Sequence, residues 1–219
     1  MKQKASFSKI SICFVGVVVL TFIFFVVYVF FSHKYVYIKD SSGTEILESK
    51  RINKLILKSP SEITLNSLRY CENLDMLSIS FVPISKNSGS LYFLQGTHLR
   101  ELQLIGQWED YSILQYQEDL ESLWLYTYGF NNEDFKYLLK MNKLEELTLV
   151  SLQVNDISGI EKLENLQTLD LRNLTINDYS PLFKCDKLET VYAKQLPKDV
   201  ADALIDKGVE VKAEILYPT

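Results

Sequence analysis

Only two histidines, His33 and His98, occur in the 219 residues. Neither belongs to a His-Glu-x-x-His pattern, and Gly-x-Ser-x-Gly is absent as well. The eight glycines build no glycine-rich phosphate loop, and the acidic residues are scattered over turns and helix starts, where solvation or capping explains them. No catalytic constellation is assembled, so neither an enzyme nor a bound cofactor or metal is expected. Acid is missing altogether from residues 1–39, which carry five lysines and a charge of +5. The remaining 18 basic and 28 acidic residues give −10, for a net charge of −5. Nucleic acid is excluded as a partner of so acidic a region, because its binding rests on lysine and arginine neutralising phosphates.

What is present first is an uncharged apolar run, ISICFVGVVVLTFIFFVVYVFF, from Ile10 to Phe31. At a rise of about 1.5 Å per residue, a helix of this length crosses a hydrocarbon core of roughly 30 Å. A cleaved signal peptide has a shorter apolar region ending in small residues, whereas this one ends in Phe30 and Phe31. The surroundings of Cys13 lack a lipoprotein pattern. The run therefore reads as a transmembrane signal anchor. Lys2, Lys4 and Lys9 precede it and Lys34 and Lys39 follow it. This modest bias, with the chain's amino group, keeps the N-terminus in the cytoplasm. The expected organisation is a cytoplasmic N-terminus (1–9), a transmembrane helix (10–31), and an extracytoplasmic remainder at the cell membrane.

From residue 52 onward one pattern recurs: apolar-x-x-apolar-x-apolar. It occurs as Ile52/Leu55/Leu57, Leu74/Leu77/Ile79, Leu99/Leu102/Leu104 and Leu120/Leu123/Leu125. It continues as Leu144/Leu147/Leu149, Leu166/Leu169/Leu171 and Leu188/Val191/Ala193. Successive starts are 22, 25, 21, 24, 22 and 22 residues apart. A helix would space its apolar residues at three and four, and a half-buried strand at two throughout. The mixed spacing fits a short strand, whose two leucines turn inward, entered by a turn that carries the third. A single such coil cannot bury its own leucines, so coils must stack, and a period in this range marks a solenoid.

The best-formed stretch, LEELTLVSLQVNDISGIEKLENLQTLDLRNLTINDYSPL, resembles the 22-residue internalin-like class of leucine-rich repeats. The resemblance covers about Ile52 to Leu196. It implies an α/β solenoid of about seven coils, with parallel strands on a concave face and short 3₁₀ or irregular segments on the convex side. The class places asparagine at the ninth position of the unit. Here that column holds Pro60, Val82, Gln107, Tyr128, Leu152, Leu174 and Leu196, so apolar packing must hold the corner. SKNSGS at 85–90 reads as an inserted loop. FNNEDFKYLLKMNK at 130–143 carries a true helix, with Asn132 as its cap and Glu133 and Asp134 in its first turn. Residues 32–51 link and cap the N-terminal end, with Ile46 and Leu47 supplying the apolar contact. Residues 197–219 form a C-terminal cap and tail: a helix starts near Pro197 and stops at Gly208, and the strand VEVKA follows.

Cys71 and Cys185 fall in one column, three residues before a repeat's first leucine and five coils apart. At ~4.8 Å per strand that separation is about 24 Å, far beyond the ~7 Å a disulfide allows between Cα atoms. They are expected as small buried thiols. What remains is surface. The outward residues Trp124 and Tyr126 alternate with inward Leu123 and Leu125. Ile105 and Val150 belong to the adjacent strands, with Asp170 and Arg172 at the edge. Exposed aromatic and aliphatic groups rimmed by charge have the composition of a binding hot spot. The expected function is a membrane-anchored leucine-rich repeat protein that binds a protein partner through Ile105, Trp124, Tyr126, Val150, Asp170 and Arg172. An anchored inhibitor or immunity factor is one alternative. A structural subunit of a membrane complex, packing through Cys13, Gly16 and the aromatic span, is another.

Overall fold

The computed structural model describes residues 35–81, 89–150 and 153–217. The apolar run 10–31, the lysines before it, His33, most of the SKNSGS insertion, and Val82 and Leu152 of the ninth-position column lie outside the described residues. Among the described residues no helix is long and apolar enough to cross a membrane.

Strands β1 (Tyr35–Asp40) and β2 (Gly43–Glu48) form an antiparallel hairpin ahead of the repeats. Seven strands then follow the seven triplets: β3 (Lys54–Lys58), β4 (Met76–Ser80), β5 (Glu101–Ile105), β6 (Ser122–Tyr126), β7 (Glu146–Val150), β8 (Thr168–Leu171) and β9 (Thr190–Pro197). β10 (Glu210–Leu216) adds an eighth, and the eight pair in chain order in one parallel sheet. The register is the one the triplets dictate. Leu55, Leu77, Leu102, Leu123, Leu147, Leu169 and Val191 face one another strand by strand, and Val211 extends the row. Leu57, Ile79, Leu104, Leu125 and Leu149 make a second row. Every triplet residue is buried except Leu55, which is half-buried on the terminal coil. Period two on the strand puts both rows on the same side, and stacking supplies the neighbour that each coil lacks.

Two backbone devices lock the stack. At the entrances to β4 through β9 one carbonyl accepts two amides from the next coil: Arg100 O takes Glu121 N and Ser122 N at 2.9 and 3.0 Å, and Glu121 O takes Glu145 N and Glu146 N at 2.8 and 3.0 Å. Three residues before a triplet's first leucine, Cys71, Gln117, Met141, Leu163 and Cys185 each donate their amide to the carbonyl three residues back. All five side chains are buried. Both thiols are free, and burial pushes their pKa up to about 11, which keeps them neutral packing groups. Gly96 breaks this column: its φ is 77°, and the Thr97 amide donates the hydrogen bond, to Leu94 O, instead. Its hydroxyl donates to the same carbonyl at 2.8 Å, as does the buried amide of Gln117 at 3.0 Å.

The convex side carries 3₁₀ turns at Leu91–Leu94, Ser112–Tyr116, Ile160–Lys162 and Ser180–Lys184, in keeping with the resemblance. It also carries α1 (Glu62–Ser67), which the periodicity did not signal. Ser61 caps α1 by accepting Thr64 N, and Glu62 sits in the first turn. The helix expected within 130–143 is α2 (Asn132–Leu138), but its cap is Asn131 rather than Asn132. Asn131 accepts Glu133 N at 2.7 Å, and Asp134 reciprocates by accepting Asn131 N at 3.1 Å. Asn132 is occupied by the next coil: it donates to Asn155 Oδ1 at 2.8 Å and accepts Asn155 N at 3.0 Å.

The corner column is apolar and buried at Pro60, Leu174 and Leu196. Gln107 and Tyr128 are exposed, a departure from the expected apolar corner. Trp108 and Thr127 turn inward beside them. The Thr127 hydroxyl is hydrogen-bonded to Tyr111 Oη, which also accepts Trp108 N at 3.3 Å. A polar pair therefore closes the corner here, and burial raises the tyrosine's pKa.

The N-terminal cap also differs from expectation. Ile46 is 69% exposed, whereas Val36 and Ile38 are buried in the core and Leu47 packs partly against it. Alternation along a hairpin sends only one face of each strand inward, and the docking of β1 decides which. Lys39 N donates to Thr64 Oγ1 of α1 at 2.8 Å, and Lys58 N donates to Asp40 Oδ2 at 2.8 Å. At the other end α3 (Lys198–Asp206) buries Ala201 and Leu204, leaves Ile205 exposed, and is followed by Gly208 at φ 90°.

Gly159 combines a φ of 90° with a close approach: a Cβ there would lie 2.8 Å from Leu139 Cδ1. Gly159→Ala is therefore expected to lower stability by about 1–2 kcal/mol, read in urea melts, through a strained backbone and a displaced leucine.

Candidate functional site

Side chains on the opposite face of the sheet from the leucines are arranged by the same pleat and the same register. Around β6 they form three rows of three. Glu101, Ser122 and Glu146 stand side by side at the strand starts; Gln103, Trp124 and Thr148 follow; Ile105, Tyr126 and Val150 lie at the strand ends. Polarity thus runs across the face from carboxylate through an amide, an indole and a hydroxyl to wholly apolar or aromatic groups.

Of the six residues selected from sequence, Ile105, Tyr126 and Val150 are immediate neighbours, and Trp124 is in the adjoining row. All four are half-buried rather than freely projecting, because each lies against its neighbours on the sheet. The Trp124 and Tyr126 rings are 6.5 Å apart and tilted at 55°. Tyr128 continues the series, its ring 6.3 Å from that of Tyr126. Its hydrogen bond to Tyr126 is the main cause raising the Tyr126 pKa. Tyr128 went unrecognised as part of this face because the repeat alignment assigned it to the inward corner, yet its spacing of two from Tyr126 continues the strand's alternation.

Asp170 lies in register between Thr148 and Tyr192, whereas Arg172 leaves the row of strand ends. Thr148 pairs with Asp170, but the ladder between β7 and β8 ends there, and β8 ends at Leu171. Arg172 therefore does not sit opposite Val150. Its guanidinium turns back onto the buried carboxylate of Asp170, with Nη2 at 2.6 Å and Nε at 3.1 Å, and this bond raises the arginine's pKa. The same guanidinium lies 5.3 Å from the centre of the Tyr192 ring, and Lys212 Nζ lies 4.9 Å from it. Asp170, Arg172, Tyr192 and Lys212 thus form a polar flank beside the aromatic rows. Among the described residues no group of three or more His, Cys, Asp or Glu is disposed to hold a metal ion.

The sequence matches no protein-family model and no curated protein. The fold does have solved counterparts. An internalin (inlF) of Listeria monocytogenes superposes with a TM-score of 0.56 at 22% identity, over 80% of this chain and 59% of that one. This chain thus spans about three-fifths of that internalin's length. Internalin C2 of the same organism superposes with a TM-score of 0.57 at 19% identity, over 79% of this chain and 78% of that one. A leucine-rich repeat protein of Leptospira interrogans gives 0.50 at 16% identity, over 78% and 52%. At these identities the likeness establishes the leucine-rich repeat fold.

Proposed function

We propose that this chain is a protein-binding leucine-rich repeat module held at a membrane by residues 10–31, with its N-terminus in the cytoplasm and its repeats outside. The partner docks on the rows centred on Trp124 and Tyr126. One observation carries the reading: on a sheet whose other face is sealed by leucine, three aromatic side chains, Trp124, Tyr126 and Tyr128, run in sequence along one strand and its exit. They add little to the core, and aromatic groups clustered on a surface are the usual anchors of an interface. The 22-residue apolar run with lysine before it supports the anchoring and its direction.

A photoreactive amino acid in place of Trp124, in intact cells, is expected to capture one protein. The same group in place of Ile63, exposed on α1, is expected to capture none. Equal capture from both positions, or none from Trp124, sinks the reading. Protease added outside intact cells is expected to digest the repeats; protection until the membrane is breached would reverse the orientation.

A further inference from the structure

We infer that the segment received by this face is basic and amphipathic, laying apolar side chains over Ile105, Tyr126 and Val150 and directing lysine or arginine to Glu101 and Glu146. This inference rests on the docking reading above and names the partner's chemistry.

Several acids elsewhere on the strand-start side and along the sheet are paired within the fold. Arg100 pairs with Asp75 at 3.2 Å, Lys143 with Asp119 at 2.7 Å, Arg172 with Asp170 at 2.6 Å and Lys212 with Glu210 at 3.1 Å. Glu101, Glu145 and Glu146 take part in none of the ion pairs formed among the described residues. Glu146 accepts one hydrogen bond, from Ser122 Oγ at 3.2 Å, and Glu101, Glu145 and Glu146 are all exposed. Carboxylates outside any ion pair therefore collect on one side of the aromatic patch, and the neighbouring Arg100 is already engaged by Asp75.

The spacing suits one kind of occupant. Alternate residues on a strand are about 6.7 Å apart, so the three rows span roughly 13 Å, and Glu101 and Glu146, two strands apart, are separated by about 9.6 Å. A helix some 10–12 Å across, laid across the strands, covers most of that span, its long basic side chains reaching the outer row, and successive turns at about 5.4 Å nearly match the strand spacing. A second copy of this chain would bring a region of charge −10 against these carboxylates. Nucleic acid and an anionic lipid surface are repelled in the same way. A basic segment is drawn in, its charges steering approach and its apolar face filling the patch.

The probe is a labelled 18-residue peptide of leucine and lysine at helical period, titrated into the full chain in non-ionic detergent, where partitioning of the peptide is common to all variants. Glu101→Gln/Glu146→Gln is expected to weaken binding about tenfold and to flatten its salt dependence. The remote pair Glu62→Gln/Asp199→Asn changes net charge equally and is expected to leave binding unchanged. A peptide with glutamate for lysine should not bind, and one with serine for leucine should bind at least tenfold more weakly. Equal losses for both variant pairs, equal binding of the serine peptide, or no binding of the leucine–lysine peptide would overturn the inference. Capture at Trp124 of a partner segment lacking lysine and arginine would also overturn it, while leaving the docking reading intact.

Discussion

Leu147→Ala is expected to lower stability by about 2–5 kcal/mol in urea melts, and Leu169→Ala by a similar amount. Both side chains are fully buried. Leu147 faces Leu123 on one neighbouring strand and Leu169 on the other, so its truncation opens a cavity shared by two coil interfaces. In a solenoid, stability is a sum of such interfaces, and a central coil contributes to two of them. Thr148→Ala, one residue along on the opposite face, should stay within about 0.5 kcal/mol, as for an ordinary surface change. Leu55→Ala should fall between the two, since Leu55 is only partly buried on the terminal coil. Equal midpoints for the Leu147 and Thr148 variants would contradict the alternation on which the whole register rests.

Trp124→Ala should weaken binding of the captured partner by about 2 kcal/mol or more, roughly thirtyfold in affinity. The indole sits at the centre of the nine-residue patch, flanked in register by Gln103 and Thr148. Truncation removes the largest apolar surface in the patch and one of the two ring contacts of Tyr126, leaving that with Tyr128. Because the ring is half-buried against its neighbours, the same change should also cost about 1 kcal/mol of stability, measured separately by thermal melting. Tyr126→Ala should act in the same direction on affinity. Unaltered affinity in Trp124→Ala together with unfolding of the repeats would assign the indole to the core and remove the site.

The inward face of the sheet was legible to the residue. Leu102, Leu123 and Leu147 could be placed opposite one another from spacing alone, because a strand turns alternate side chains to one side and the repeat fixes the offset between coils. The same logic placed Ile105, Trp124, Tyr126 and Val150 on the outer face. It failed where a coil departs from the common length or where a neighbour competes for a group. At Gln107 and Tyr128 the inward place passes to Trp108 and Thr127. Asn131 caps α2 because Asn132 is held by Asn155, 23 residues on. Ile46 is apolar enough to serve as a cap, yet the docking of β1 on Thr64 turns Val36 and Ile38 inward instead.

By itself, then, the sequence determined the solenoid, its coil count, its register and the burial of both thiols in their column, since all of these follow from period and apolarity. Only the tertiary structure decided which hairpin face closes the first coil, how Arg172 folds onto Asp170, and which carboxylates remain unpaired beside Trp124. Most of those choices are made between groups about one coil apart, as with Arg100 and Asp75, 25 residues distant, or Lys143 and Asp119, 24 residues distant. The Arg172 fold-back is decided locally, where β8 ends, by the Asp170 carboxylate two residues back, and the Tyr192 ring of the next strand flanks the same guanidinium. Apolar burial is set by a residue's own place in the repeat, whereas an ion pair or a cap is set by which partner stacking brings within about 3 Å.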